Sequence, residues 1–448
     1  MQNTETNTKF ISHIMKGSPD LTLTRGDMVK LLKVVLCEGF NSQNILEVSR
    51  DLEDTSLAVI SLDPSHGYNF NQVISVEGME SEDLNKEYRV LYTEATKIKV
   101  SLGPEALPET VFNFNIKPSG ASCKVAPLGF TTEYDDIAAT GTACFKNKSL
   151  KSPAILKLID ALPPNGYSEN WNRYARVVVG QELDPEIPGD FLNNDKVPYT
   201  TSAPYAEKVG NGVSGSAGIH GYLKWDYGLN QTTSDSYSEA TTTPYGSYPT
   251  DWKIIGDGDS FYFFIRAMGR NYSKYTLCTF GLFNSVNPED TTNILVTGSS
   301  RYIASNITSL KSGGAWRSGF TKMHEYTGNF MFKTILGKTQ HGIACTFFGL
   351  NHDANASYSS WPSKGGINSV NPSTGNILTS SLYIKDSNQD FRGTLRGVQQ
   401  FYGLDLLAED MILDEGGAMV LTTRMYNGAS SDDSAIPYLF SLRDWEEA

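Results

Sequence analysis

Short segments that fit β-strands recur along most of this chain. Residues 88–92 and 97–102 alternate apolar with polar side chains, residues 57–62 form an apolar run, and residues 261–265 and 418–423 are largely apolar or aromatic. Gly, Asn, Ser and Pro separate these segments, which is the pattern of strands joined by turns. The chain holds 23 Tyr and 21 Phe, which suit a pleated surface, and only 19% charged residues. We therefore expect a mainly β fold.

One segment, residues 25–40, has the periodicity of an amphipathic helix. Its apolar residues recur at i, i+3, i+4, i+7 and i+8, namely Met28, Leu31, Leu32, Val35 and Leu36. Thr24 is the expected N-cap and Gly39 the expected stop. The apolar face has to dock on the β-module that follows or on a neighbouring subunit. Leu31, Leu32 and Val35 are therefore candidate interface residues.

The length of 448 residues predicts more than one domain. We expect an N-terminal helical docking segment at 1–54, a small β-barrel or sandwich at 55–120, and a larger β-rich domain at 121–448. Residues 185–247 are rich in Pro, Gly, Ser, Thr and Tyr and poor in aliphatic residues. This stretch is expected to be a loop-rich insertion that orders on contact with a partner.

The charge and hydropathy of the sequence argue against nucleic acid and membrane as partners. The net charge of −13 and the lack of a Lys/Arg cluster disfavour nucleic-acid binding, which requires neutralisation of phosphates. No stretch reaches the ~20 apolar residues of a membrane helix, and the N-terminus lacks the apolar core of a signal peptide. The expected product is soluble and made in a cytoplasm. Its five scattered cysteines predict reduced, buried thiols rather than disulfides or a zinc site.

The motifs that resemble catalytic or cofactor sites lack the context that such sites need. The carboxylates of Asp257 and Asp259 resemble a cation loop, but a hairpin turn uses the same residues and is favoured. The GxGxxG match at 210–215 has no strand before it and no helix after it. His341 and His352 bracket a strand that can recruit a ligand, although loop histidines are favoured. The chain has no G-x-S-x-G elbow, and its 50 acidic residues include no pair that can be nominated for glycoside hydrolysis. We predict no catalytic, cofactor or metal residues and no enzyme activity.

Aromatic residues in the polar stretch form the second candidate interface. Tyr and Trp provide a large contact area at low entropy cost, so they can stack on sugar rings or pack against protein, and packing is favoured. The residues concerned are Tyr205, Tyr222, Trp225, Tyr227, Tyr245 and Tyr248.

The order of four segments resembles a family of tailed-bacteriophage and prophage virion proteins, most of them tail-associated. The first is MKGSPD at 15–20 with the helix that follows it. The second is the His66-Gly67-Tyr68 turn with LNKEYRV at 84–90. The third is WKIIGDGDSFYFF at 252–264 with FGLFNSVNPED at 280–290. The fourth is FRGTLRG at 391–397 with LRDW at 442–445. Residues 128–130 depart from the family pattern, which has a Trp there, and residues 185–247 match no part of it.

The resemblance implies a structural subunit of the virion, assembled in the host cytoplasm. A tail or baseplate position is favoured because residues 56–102 resemble a module of tail proteins. The expected partners are other phage virion proteins and further copies of the chain. A receptor- or glycan-binding protein, a collar or capsid decoration protein, and a virion-associated depolymerase are the alternatives.

Overall fold

The computed structural model shows a mainly β protein. It describes residues 6–102, 116–161, 173–192, 196–197, 223–228, 249–266, 276–287, 293–298, 329–335, 338–348, 378–386, 390–402, 412–415, 418–425 and 436–445. No helix in these ranges is long and apolar enough to cross a membrane.

A closed barrel of six strands follows the N-terminal helix, in the order β2-β3-β6-β5-β4-β7. Its strands are β2 (Phe40–Arg50), β3 (Leu57–Leu62), β4 (Val73–Glu77), β5 (Glu87–Thr93), β6 (Lys97–Ser101) and β7 (Ser122–Val125). A 3-10 turn, Glu82–Leu84, lies between β4 and β5. The predicted strands at 57–62, 88–92 and 97–102 are confirmed. The barrel extends beyond the predicted 55–120 module, because β2 and β7 close it.

A second sheet holds six strands, with the path β12-β11-β10-β9-β8 and β13 paired to β11. Its strands are β8 (Thr131–Asp136), β9 (Thr142–Lys146), β10 (Ile155–Ile159), β11 (Arg173–Gly180), β12 (Lys196–Val197) and β13 (Leu223–Gly228). A short helix, α2 (Ile137–Thr140), connects β8 to β9. Since β13 lies within residues 185–247, that stretch is not entirely loop as predicted.

The third sheet has 13 strands and takes in both ends of the chain. Its strands are β1 (Lys9–Ser12), β14 (Trp252–Gly256), β15 (Ser260–Ile265), β16 (Thr276–Leu282), β17 (Asn284–Ser285), β18 (Ile294–Thr297), β19 (Asn329–Ile335), β20 (Lys338–Phe348), β21 (Leu378–Asp386), β22 (Phe391–Tyr402), β23 (Ile412–Glu415), β24 (Ala418–Met425) and β25 (Ile436–Ser441). β1 pairs with β14 although about 240 residues separate them, so the N-terminus belongs to the large sheet.

The aromatic run of β15 is buried on both of its faces. Phe261, Phe263 and Ile265 belong to the main core, which includes the barrel and the N-terminal helix. Tyr262 and Phe264 point to the opposite face and pack in a second core. Because successive side chains of a strand point to opposite faces, a strand covered on both sides is apolar throughout. This explains why the segment lacks the alternation of a half-exposed strand.

The predicted helix is present as α1 (Asp27–Lys33), which continues as a π-helical turn, Val34–Glu38. Gly39 ends it with φ 76°, as predicted. Thr24 is not its cap; the carboxylate of Asp160 instead accepts a hydrogen bond from the Met28 N–H at 3.1 Å. The carbonyls of the π-helical turn are satisfied by the N–H groups of residues 128–130. The helix is therefore fixed from both ends by the body of the same chain.

Candidate functional site

The GDGDS segment forms the turn between β14 and β15, and the side chain of Asp257 organises it. Asp257 Oδ1 accepts hydrogen bonds from the backbone N–H of Asp259 at 2.9 Å and of Ser260 at 2.8 Å. Gly256 and Phe261 pair across the hairpin. This confirms the predicted hairpin turn. Because N–H donors surround Oδ1, this atom faces partial positive charge, which disfavours a cation beside it.

Arg396, on β22, brings its guanidinium to the same turn. Nη2 lies 3.2 Å from Asp257 Oδ2, and Nη1 lies 3.8 Å from Asp259 Oδ2. The side chains of Arg396 and Asp257 are only 3% and 7% exposed. Nη1 also donates to Ser260 Oγ at 3.3 Å. We call Asp257, Asp259, Ser260, Tyr262, Arg396 and Trp445 the Arg396 junction.

Trp445 and Tyr262 complete this junction. Arg396 Nη2 donates to the backbone carbonyl of Trp445 at 2.6 Å, and the guanidinium lies 5.9 Å from the indole centroid. The Tyr262 hydroxyl donates to the Arg396 carbonyl at 2.8 Å. Gly397 has φ +62°, and a Cβ there would meet the indole at 1.9 Å, so glycine is required beside the tryptophan. The third and fourth segments of the family resemblance therefore meet at one buried ion pair.

A second set of contacts joins the two ends of the chain to the barrel. Asn7 donates to both carboxylate oxygens of Asp444, from its backbone N–H at 3.0 Å and from Nδ2 at 2.8 Å. Arg89 of β5 is 2% exposed, and its Nη2 donates to the carbonyls of Thr8 at 2.7 Å and Leu442 at 3.3 Å. Arg89 lies in the LNKEYRV segment of the resemblance. These contacts hold the barrel, β1 and the C-terminus together.

The predicted interface residues are inside the chain wherever the structure describes them. Leu31, Leu32 and Val35 are 0% exposed and pack in the main core, so they are not a docking surface. Trp225 and Tyr227 are also 0% exposed, because β13 pairs with β11 instead of forming a loop. These five assignments are corrected. The remaining four, Tyr205, Tyr222, Tyr245 and Tyr248, lie outside the described residues.

The histidines that the structure describes make structural contacts. His66 is buried, its Nε2 lies 2.7 Å from the Glu94 carbonyl, and its Nδ1 accepts from the Tyr68 N–H. His13 Nε2 lies 3.2 Å from Asp251 Oδ1, and its Nδ1 lies 3.0 Å from the Trp252 carbonyl. Both ring nitrogens of His13 are therefore in contact with Asp251 or the Trp252 backbone. Neither ring nitrogen is left to activate a nucleophile. His352 and the GxGxxG match lie outside the described residues, as does the side chain of His341.

The described ranges also contain side chains that can ligate metals or act as nucleophiles. No group of three or more His, Cys, Asp or Glu there can hold a metal ion. Four cysteines of this part of the chain are free thiols. Burial raises the pKa of Cys37 and Cys123 to about 11 and that of Cys144 to about 12. These thiols stay protonated near neutral pH and are poor nucleophiles.

Asp160 is a buried carboxylate between the helix and β13. Oδ1 accepts from the Tyr227 hydroxyl at 2.8 Å, and Oδ2 accepts from the Met28 N–H. Burial raises the pKa of Asp160 to about 6, and the hydrogen bonds and the charge of Arg25 oppose that rise. The carboxylate connects α1 to the second sheet through contacts inside the chain. Its role is therefore structural.

The raised pKa of Asp160 predicts that this residue stabilises the fold more at low pH than at neutral pH. Its pKa is higher in the folded protein than the value of 3.8 in the unfolded chain, so its contribution is fully present below pH 3.8 and is lost as the pH rises through about 6. The difference corresponds to about 2 kcal/mol between pH 4 and pH 7. Asp51 and Asp135 act in the opposite sense, because hydrogen bonds from Lys99 and Lys33 lower the pKa of each.

This pH dependence is measured by comparing the stability of the native chain with that of the Asp160→Asn variant. Urea unfolding of the native chain and of Asp160→Asn from pH 4 to pH 7 should show the free-energy difference changing by about 2 kcal/mol, in favour of Asn at high pH. Asp63→Asn, at an exposed position just after β3, is the control and should show no such trend. A difference that is constant with pH would contradict a raised pKa of Asp160.

The residues that hold these contacts, Arg396 and Arg89, lie in segments of the family resemblance, but the sequence does not mark them as sites. Arg89 is the single cation of β5, and a cation among apolar neighbours needs a buried partner, whereas β22 carries two arginines, Arg392 and Arg396. A lone cation among apolar residues therefore indicates a buried partner for Arg89 but does not distinguish Arg396 from Arg392. It could not identify the partners, since Arg396 and Ser260 are 136 residues apart and Arg89 and Leu442 are 353 residues apart.

Comparisons with known proteins leave the family open. A scan against models of protein families finds no match, and a search of curated proteins finds none. Among solved structures, the chain is similar to the phage phi92 endosialidase at 10% identity, with a TM-score of 0.14. The alignment covers 90% of this chain and 52% of the other, so the chain spans about half the length of that protein. At this TM-score the likeness supports no argument about fold or activity.

Proposed function

We propose that the chain is a non-catalytic structural subunit of a bacteriophage particle, associated with the tail or baseplate, that acts by protein–protein assembly. The observation that carries the proposal is that the segments resembling virion proteins make buried contacts with one another and with both chain ends. Arg396, Asp257 and Trp445 contact one another in the interior, and Arg89 binds backbone carbonyls at both chain ends. Residues used in this way serve a rigid fold, which is what a scaffold requires.

The glycan-binding alternative has less support than the aromatic composition suggests. It relied on aromatic side chains presented to solvent, and Trp225 and Tyr227 are buried. Stacking on a sugar ring requires an exposed ring face. The glycan-binding alternative then depends on the four tyrosines at 205, 222, 245 and 248. Sugar binding is therefore tested directly.

The experiment uses the full purified chain. Mass photometry measures its self-assembly, a glycan array measures sugar binding, and a reducing-end assay measures polysaccharide hydrolysis. Self-assembly without sugar binding or hydrolysis is expected. Hydrolysis would overturn the non-catalytic assignment, and sugar binding by a monomeric chain would favour the receptor-binding alternative.

The location is tested separately, in particles of a phage that encodes the chain. Immunogold labelling with an antibody to the chain should decorate the tail or baseplate of intact particles. Label on the capsid or collar would move the position, and purified particles that lack the chain would overturn the virion assignment.

A further inference from the structure

The guanidinium of Arg25, just before the helix α1, lies in the interior without an acceptor. Nε, Nη1 and Nη2 are all buried, and none of the three has a hydrogen-bond partner among the residues that the structure describes. A buried cation that makes no hydrogen bond has lost the water that stabilised it without a replacement. We therefore expect Arg25 to bind an acceptor in at least one protonation state of its surroundings.

The residues on either side of Arg25 touch one buried pair of side chains. The Tyr227 hydroxyl lies 3.4 Å from the Thr24 carbonyl oxygen, and the Met28 N–H donates to Asp160 Oδ2 at 3.1 Å. Asp160 and Tyr227 are themselves joined, since the hydroxyl donates to Oδ1 at 2.8 Å. Arg25 belongs to the turn that contacts both of them, and its side chain is long enough to reach the carboxylate.

Asp160 is a buried carboxylate that the described cations do not pair with. The residue is 1% exposed, and its two oxygens accept hydrogen bonds from Tyr227 and Met28. Burial raises the pKa of Asp160 to about 6 and also raises that of Tyr227, and in both cases the positive charge of Arg25 opposes the rise. The guanidinium is therefore close enough to act on the carboxylate, and a cation and an anion that both lack an ion pair share one interior region.

The other charged groups next to this region have partners of their own. Arg173, on β11, donates from Nε to the Leu23 carbonyl at 2.6 Å. Asp27, on α1, accepts a hydrogen bond from the Thr22 hydroxyl and lies 3.4 Å from Lys30 Nζ. These contacts leave Asp160 as the carboxylate that Arg25 can bind.

The hydroxyl of Tyr227 allows Asp160 to exist in either protonation state. It carries one proton and faces two acceptors, Asp160 Oδ1 and the Thr24 carbonyl. When Asp160 is ionised, the hydroxyl donates to it. A protonated Asp160 can donate to the Tyr227 oxygen, and the hydroxyl then donates to Thr24. Neither state leaves the carboxyl group without a hydrogen bond.

We propose that Asp160 and Arg25 form a pH-sensitive switch at the start of the helix, in which the ionised carboxylate binds the guanidinium and the protonated carboxyl releases it. Pairing fastens the turn before α1 to the end of β10, because Asp160 directly follows that strand. Protonation leaves this turn held by the hydrogen bonds of Tyr227 and Met28. The switch is a property of the fold and does not depend on the proposed place in the virion.

The test is a double-mutant cycle of the full chain with Arg25→Met and Asp160→Asn, measured by urea unfolding at pH 4 and pH 8. At pH 8 Asp160 is ionised, because its pKa is about 6. Arg25→Met should then raise the unfolding equilibrium constant about tenfold more in the native background than in the Asp160→Asn background. At pH 4 the carboxyl is protonated, and the two ratios should agree within about twofold. A coupling that is absent at pH 8, or equal at the two pH values, would overturn the proposal.

The control is Lys30→Met, which removes an exposed cation of the same helix that pairs with Asp27. It should show no coupling to Asp160 at either pH, and a coupling as large as that of Arg25 would count against a specific pair.

Arg25→Met alone decides the matter if Asp160→Asn does not fold. At pH 4 it removes a buried cation that has no anion beside it, so stability should be unchanged or increased. At pH 8 it leaves a buried carboxylate without its cation, so stability should fall. The same change in stability at both pH values would contradict the switch.

Discussion

Replacing Arg396 by methionine is expected to lower the free energy of unfolding by about 3–5 kcal/mol. Methionine keeps most of the side-chain length but leaves Asp257, 7% exposed, without its cation. The backbone carbonyl of Trp445 loses its donor in the same step. The cost comes from a buried carboxylate that is left with little water and without its cation, and urea unfolding at pH 7 measures it.

Two variants separate this cause from a general effect of mutation in β22. Arg392→Met removes a guanidinium of the same strand that pairs with a 63% exposed Asp390, and it should change stability by about 1 kcal/mol or less. Asp257→Asn added to Arg396→Met should recover part of the loss, because it removes the unpaired charge. Equal losses for Arg396→Met and Arg392→Met would show that the junction contributes nothing specific.

Replacing Trp225 by alanine is also expected to lower the free energy of unfolding by about 3–5 kcal/mol. The indole is 0% exposed, its Nε1 donates to the Thr297 carbonyl at 2.7 Å, and its ring lies edge-on to Phe261 and Phe263 at 6.0 and 6.1 Å. The substitution leaves a cavity between the second and third sheets and an unsatisfied carbonyl. Thermal and urea unfolding measure the loss.

The control for Trp225 is an aromatic residue at the surface. Tyr92→Ala, on the outside of the barrel where the ring is 51% exposed, should cost about 1 kcal/mol or less. Trp225→Phe should lie between the two, since it keeps the ring and loses the hydrogen bond. A fully stable Trp225→Ala variant would contradict the buried position. A loss of cell or glycan binding on Trp225→Ala is consequently no evidence for adhesion, because the variant is destabilised.

The local elements were largely predictable. Residues 97–101 form a strand because alternation with period two suits a surface with one buried face, and the stripe from Met28 to Leu36 forms a helix because its apolar residues recur on one helical face. The GDGDS turn followed from residues that tolerate hairpin geometry. In contrast, the polar residues around LKWDY at 223–227 predict a loop, whereas the segment is a strand that pairing with β11 stabilises.

The sequence by itself determined the mainly β character, the helix and its glycine stop, and the turn that Asp257 forms. These depend on residues a few positions apart, whose preferences act within one element. Only the tertiary structure decided that Arg396 pairs with Asp257, that Arg89 joins both ends of the chain, and that Trp225 is buried. Those outcomes depend on which distant strands become neighbours, and the burial that results sets the energy of each charge.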